Sequence, residues 1–193
     1  MELRAGPVGL RPLAYSDARA WSEVRRRNAD WLRPWEATVP PGDSTAPTSF
    51  RGLVRDLRHQ AKERRALPFA VTVDDEFAGQ LTVTNIVGGS ARWAQVGYWI
   101  DQRHAGHNVM PTAVALVVDY CLQQLRLHRV EVAIRPENTA SLRVVEKLGF
   151  TEVGYARGYL HIDGEWRDHR LFALTSEEVG DGLLRRFRRT LEP

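Results

Sequence analysis

Arg103, His104, Gly106 and His107 fall within one short polar run, Asp101 to Asn108, and the apolar pattern of a helix begins directly after it at Val109. A helix that starts on a polar, glycine-containing turn presents free backbone N–H groups and the positive end of its dipole, a combination that binds anions. The arginine and the two histidines add side-chain donors, and a pyrophosphate suits the set. Any strand–turn–helix also needs a glycine and polar residues, so the run alone reads either way. Farther on, Asn138 and Ser141 lie about one turn apart at the start of a second helical pattern and share a face. Asn138 is a good N-cap, so the pair either starts the helix or meets a ligand. His161, Asp163 and Glu165 lie on or beside a late hairpin, and Glu131 and Glu152 lie on strands.

These residues need a scaffold, and the patterning supplies one. Val96, Tyr98 and Ile100 alternate on one face of a strand from Ala94 to Ile100. Val114, Val117, Val118, Cys121, Leu122 and Leu125 keep the spacing of one helix face over Val109 to Leu125, with Pro111 in the first turn. His128 to Ile134 alternates as a strand. Leu142, Val145 and Leu148 mark the buried face of the helix after Asn138, closed by Gly149.

Upstream, Val8 to Leu13 reads as a strand, and Ser16 or Asp17 caps a helix to about Asn28. Trp31, Pro34 and Trp35 open a Pro- and Thr-rich connector to Pro47, which either packs under a loop or walls a cleft. Thr48 to Arg65 is a helix. Leu67 to Val73 and Phe77 to Val87 are strands joined by a turn at Asp74-Asp75-Glu76, and Gly88-Gly89-Ser90 turns into the strand at Trp93. Downstream, Glu152 to Ile162 and Glu165 to Leu174 form a hairpin about Asp163-Gly164, and 176–191 reads as a basic helix. Antiparallel runs with one parallel crossover predict an α+β (mixed α/β) fold, one domain over 1–193 with its core at about 8–175.

At 193 residues the chain holds one real core. No run approaches the ~18–20 apolar residues of a membrane span and the N-terminus lacks a signal-peptide pattern. The single cysteine, Cys121, forms no internal disulfide and sits on an apolar helix face. A cytoplasmic protein without a membrane partner is expected, and no metal. The net charge of +3 is too mild for a nucleic-acid-binding composition, so no specific nucleic acid is expected. Arg25–Arg27, Arg185–Arg186 and Arg188–Arg189 are basic patches, either solvated helix faces or contacts to an acidic neighbour such as a ribosome.

The run Arg103-His104-Ala105-Gly106-His107-Asn108 resembles the pyrophosphate loop of the GNAT superfamily of N-acetyltransferases, usually Arg/Gln-x-x-Gly-x-Gly/Ala. The segment from Arg135 to Phe150 resembles the superfamily's second signature. Gly97 to Asp101, His128-Arg129, and Asp163 to Asp168 resemble the ribosomal-protein-alanine N-acetyltransferase (RimJ/RimL-like) branch, and the likeness runs from about Leu10 to Leu174. It implies a mostly antiparallel central sheet flanked by helices, with the strands starting near Ala94 and His128 splayed around acetyl-CoA. It implies cofactor contacts from Val96, Gly97, Tyr98, Trp99 and Ile100, from Arg103, His104, Ala105, Gly106, His107, Asn108 and Val109, and from Asn138 and Ser141, with Ser141 the acid. Trp31, Trp35 and Glu36 would wall the acceptor cleft, with Asp163 and Glu165. The implied acceptor is a peptide or protein N-terminus, a ribosomal protein among them, and a homodimer is one assembly. Asn108 departs from the usual Gly or Ala. It tolerates positive φ best after glycine, but its side chain predicts weaker or rearranged pyrophosphate binding.

Acetyl transfer to an amine needs a neutral amine, N–H donors for the oxyanion, and a proton for the leaving thiolate. Gly97 lets the Val96–Ile100 backbone approach the carbonyl closely. A free α-amine, with a pKa near ~8, is about a tenth neutral at pH 7, whereas a lysine near ~10.4 is neutral about once in 2,500 molecules. The first asks little of a base. The RimJ/RimL-like glutamate position falls near Leu160 and His161, with no carboxylate, so His161 or water held by the strand backbone is the expected base. A small amine as acceptor, or a non-catalytic acyl-CoA-binding or ribosome-associated module, are the rival readings. A deep acidic pocket favours the small amine and an open groove favours a peptide.

Overall fold

The chain forms β1 (Leu3–Ala5), β2 (Val8–Pro12), α1 (Ala18–Arg27), α2 (Ala29–Leu32), α3 (Phe50–Lys62), β3 (Leu67–Val73), β4 (Glu76–Val87), β5 (Trp93–Ile100), α4 (Val109–Asp119), β6 (Arg129–Ile134), α5 (Thr139–Lys147), β7 (Thr151–Ile162), β8 (Glu165–Thr175), α6 (Ser176–Val179) and α7 (Leu183–Arg189). The computed structural model describes residues 1–42 and 47–192. Part of the Pro- and Thr-rich connector, 43–46, therefore lies outside the described residues. The strands pair as one sheet in the order β1-β2-β3-β4-β5-β6-β8-β7. The short β1 was not predicted. It pairs with β2 from Leu3↔Leu10 to Ala5↔Val8 across a turn where Gly6 takes φ +61°.

The sheet is antiparallel except where β5 meets β6. That parallel pair holds for Trp93↔Arg129, Ala94↔Val130 and Gln95↔Glu131 only. Beyond it β5 continues to Ile100 and β6 to Ile134 without pairing, so the two strands splay as the family resemblance implied. A crossover helix is what a parallel pair demands, and α4 supplies it.

Alternation divides the core. In β3, Phe69 and Val71 belong to the main core beneath α4, while Ala70 belongs to a smaller cluster with Leu13 and Val54 beneath α3. The two helices therefore cover opposite sheet faces. A single apolar stripe was expected on α4. Instead Val109 to Pro111 and Ala113 to Val118 are all buried, because α7, β1 and β2 also pack against this helix. Its last turn widens to a π-helical turn at Tyr120–Gln124, so the α-helix ends earlier than the predicted Leu125.

Two further expectations are corrected. Asp17 does not cap α1 with its side chain. Its buried carboxylate turns back to accept the Ala14 N–H at 2.8 Å and both Arg11 guanidinium nitrogens at 2.6 and 2.9 Å. The predicted basic helix over 176–191 is two short helices, broken where Gly180 and Gly182 take φ of +59° and +128°. The Asp119 carboxylate accepts the Leu183 and Leu184 N–H groups, and Leu183 and Phe187 are buried, so α7 is docked.

Candidate active site

The splay opens into a cavity of about 1250 Å³. Val96 to Ile100 of β5 and Val132 to Ile134 of β6 form its sides, and the 104–108 loop with the first turn of α4 forms one end. Gly106 takes φ +82° and Asn108 φ +59°. A Cβ on Gly106 would meet nothing, so backbone conformation and not crowding calls for glycine there. Asn108 stands at the N-cap of α4 but its side chain caps nothing. Its Oδ1 accepts instead from Lys147 Nζ, at 2.7 Å. The N–H groups of Val109 and Met110 are thereby left free of a side-chain cap at the positive end of the helix, with Lys147 and Arg143 of α5 on the cavity wall. These features fit a pyrophosphate.

Asn138 Oδ1 accepts the Ser141 N–H at 3.0 Å, so it caps α5 as its residue type predicts. Both residues also line the cavity, so capping and contact with a ligand coexist. The Ser141 hydroxyl makes no hydrogen bond among the described residues. The Tyr98 hydroxyl lies 3.5 Å from the Ser141 carbonyl, and burial pushes that phenol above its ordinary pKa. Tyr98 therefore stays protonated at neutral pH.

The opposite wall is aromatic. Trp21, Trp31, Trp35, Phe50 and Trp99 face the cavity. The Arg25 guanidinium lies over the rings of Trp21 (4.7 Å) and Trp99 (5.5 Å) and pairs with Glu36. Trp31 donates from Nε1 to the Ile100 carbonyl at 3.2 Å, and Arg135 covers Trp35 at 5.3 Å. The wall is stitched to the β7–β8 hairpin. Thr38 N–H donates to the His161 carbonyl, Asp163 N–H to that of Glu36, and Ala37 bridges Ile162.

Residues 8–151 match the family model described as an acetyltransferase (GNAT) domain. The chain belongs to the GNAT acetyltransferases. It is 40% identical to Mycobacterium smegmatis RimJ, solved in complex with CoA-disulfide, with a TM-score of 0.89 over 98% of this chain and 93% of that one. It is 31% identical to the ribosomal protein uS5-alanine N-acetyltransferase of Escherichia coli (strain K12), over 86% of this chain and 87% of the relative. Identity to the spermidine N(1)-acetyltransferase of the same strain is 28%, over 85% and 83%. A GNAT acetyltransferase uses acetyl-CoA, and the open helix end and splayed strands described above fit it.

Within this GNAT acetyltransferase the predicted site residues divide. Val96 to Ile100, His104, Ala105, Gly106, Asn108, Val109, Asn138, Ser141, Trp31, Trp35 and Glu36 all line the cavity. Arg103 and His107 do not. The Arg103 guanidinium lies on the Asp101 carboxylate at 3.0–3.1 Å, and the His107 side chain is exposed. Asp163 and Glu165 sit at the exposed hairpin tip, outside the lining, where Glu165 pairs with Arg167. Asp163 contributes only its backbone N–H to the stitching. The predicted base, His161, is also outside the lining. Its neighbours Leu160 and Ile162 line the cavity, and the period of two along a strand turns His161 away from it. His161 Nδ1 meets the Thr38 hydroxyl at 2.8 Å, and its ring is edge-on to Trp166.

The sequence reading also missed lining residues, among them Arg25, Arg135, Arg143 and Lys147, and two buried polar groups. His169 of β8 is buried and lines the cavity. Asp101 is buried and accepts from Arg27 (2.5 and 3.2 Å), Asn28 (2.9 Å) and Arg103. Burial opposes its ionisation, but the bonds from Arg27, Asn28 and Arg103 outweigh burial and hold it well below the ordinary carboxylate range. It ties the end of α1, the helix that carries Trp21 and Arg25 of the aromatic wall, to the start of the 101–108 loop. The polar residue ending a strand at Asp101, with three arginines at 25–27 upstream, was the available signal.

Proposed function

We propose that this GNAT acetyltransferase transfers the acetyl group of acetyl-CoA directly, in a ternary complex, to the α-amine of a protein N-terminus, a ribosomal protein among the acceptors. The observation that carries this reading is the charge of the cavity wall. Among the described residues, Arg25 and Arg135 line its aromatic side against one carboxylate, Glu36, which Arg25 already engages. A polyamine or aminoglycoside carries several cations and needs several carboxylates; a peptide N-terminus carries one. The aromatic wall suits the side chains that follow such an amine. The names of the RimJ and uS5-alanine relatives support the same class of acceptor, and a ribosomal acceptor would put the protein in the cytoplasm.

In this reading the α4 N-terminus and Lys147 hold the pyrophosphate, and the unpaired edge of β5 offers N–H donors to the thioester carbonyl. The Ser141 hydroxyl, on the cavity lining, would then protonate the leaving sulfur. The test is thiol release from acetyl-CoA with peptides bearing Ala, Ser or Met N-termini, their N-blocked lysine counterparts, spermidine and an aminoglycoside. Turnover confined to free N-termini is expected. Faster turnover of spermidine or the aminoglycoside would overturn the reading.

A further inference from the structure

Among the described residues no carboxylate stands at the strand position around Leu160 and His161, yet the cavity lining includes a histidine in a defined chemical state. His169 is buried, at 3% exposure, and lines the cavity. Its Nδ1 lies 3.0 Å from the Arg167 carbonyl oxygen. A carbonyl only accepts, so Nδ1 carries the hydrogen and a neutral ring leaves the lone pair on Nε2. Nε2 has no hydrogen-bond partner among the described residues. It is also absent from their buried unpartnered atoms, of which there is one, Arg167 Nε, so Nε2 reaches open space. A buried imidazole fixed in one tautomer by its own strand, with its basic nitrogen free, is the arrangement of a general base.

We propose that His169 is the catalytic base of this acetyltransferase and takes a proton from the acceptor ammonium through Nε2. The inference rests on acetyl transfer from acetyl-CoA and not on which amine accepts. An acceptor R–NH3⁺ gives one proton to His169, and its lone pair then forms the N–C bond to the thioester carbonyl. As the C–S bond breaks, the second proton leaves the nitrogen and the sulfur gains one by way of Ser141. The products are the acetamide, the free thiol of CoA and His169 imidazolium, which returns its proton to water.

The surroundings suit this role. Burial lowers the pKa of His169 first of all, and the nearby Arg135 cation acts in the same direction. The Arg167 carbonyl, Asp168 and Glu137 act against them, and the net direction is down. From β7 the facing titratable group is Tyr159, whose ring is 5.6 Å away and whose hydroxyl is engaged by Gln95. The imidazole is therefore neutral at pH 7, ready to accept.

The test uses two variants and one spectrum. His169→Asn places an amide N–H where Nδ1–H stood, so it keeps a donor for Arg167 while removing the base. We expect kcat to fall on the order of a hundredfold with the best wild-type acceptor. CoA affinity by calorimetry should stay within about threefold, and the acid limb of the kcat–pH profile should vanish. Should His169→Asn not fold, His169→Gln, whose amide reaches the Nε2 position and gives up the Arg167 contact, also removes the base and is read by the same kcat and pH-profile outcomes. A folded variant within about threefold of wild-type kcat, or one that keeps the acid limb, overturns the assignment. Independently of turnover, imidazole nitrogen NMR of the wild type should show the Nδ1–H tautomer at pH 7, and an Nε2–H tautomer overturns it. A change in which acceptor is preferred would refute the protein N-terminus reading and leave the His169 outcomes unaffected.

Discussion

Asp101→Asn isolates the link between the two halves of the site. The carboxylate is 1% exposed and is the shared acceptor for Arg27, Asn28 and Arg103. An amide keeps the shape but not the charge, and it turns one acceptor oxygen into a donor facing donors. Hydrogen bonds to a charged group contribute about 1.5–3 kcal/mol each. The arginines recover part of this from water, since Arg27 is 33% exposed and Arg103 66% exposed at the side chain. A net loss of about 2–3 kcal/mol follows, or roughly 4–12 °C in Tm for a chain of this size. The pH dependence has a definite sign. The folded pKa lies below the unfolded value near ~3.9, so the stabilisation is complete above that value and is lost as pH falls through the folded pKa. Thermal melts should show a wild-type advantage that is constant from pH 5 to about 8 and shrinks below pH ~4. Because Asp101 ties α1 to the loop, KM for both substrates should rise as well. A Tm within about 1 °C of wild type at pH 7, or an advantage that grows on acidification, would refute the reasoning.

Other perturbations address single features. Asn108→Ala should lower Tm by about 2–8 °C, because a left-handed residue without a local hydrogen bond costs about 1–2 kcal/mol. Asn108→Gly should leave CoA affinity within about threefold by calorimetry, since Lys147 already holds the asparagine side chain. Burial pushes the Cys121 thiol up to about 12, so a disulfide reagent should titrate it only after denaturant is added. Stoichiometric labelling of the native protein would contradict its burial. Glu36→Gln should raise the acceptor KM several-fold while leaving CoA binding alone, and an equal loss of CoA affinity would place Glu36 on the wrong wall.

The order of elements was legible because alternation, helical spacing and turn residues agreed from Val8 onward. Gly149, Asn138 and Asp163-Gly164 stood where the structure uses them. The misreadings have a common origin in contacts from distant parts of the chain. The tail looked like one basic helix because its arginines are good helix formers, yet Gly180 and Gly182 break it and Asp119 caps the second piece. Asp17 looked like a cap because its type favours one, but a guanidinium six residues earlier captured it. The crossover helix looked one-sided until α7 and β1 covered its other faces.

The two histidines show where sequence reading of the site reaches its limit. Leu160-His161-Ile162 is an apolar–polar–apolar alternation, and from sequence alone it says that His161 faces away from its neighbours. It does not say which of the two faces meets the cavity. That depends on the splay between β5 and β6 and on the register of β7 against β8, which shifts twice along its length. Once the apolar pair faces inward, His161 is left to hold Thr38 and so to close the acceptor wall, while the histidine on the adjacent strand enters the cavity. Structural and catalytic duties thus fall to residues of the same type on paired strands. His161→Ala should accordingly loosen the 36–38 segment, raising acceptor KM and protease sensitivity there with kcat largely kept. His169→Asn should do the reverse, and a kcat collapse in the His161 variant with native CoA binding would show that the faces had been assigned the wrong way round.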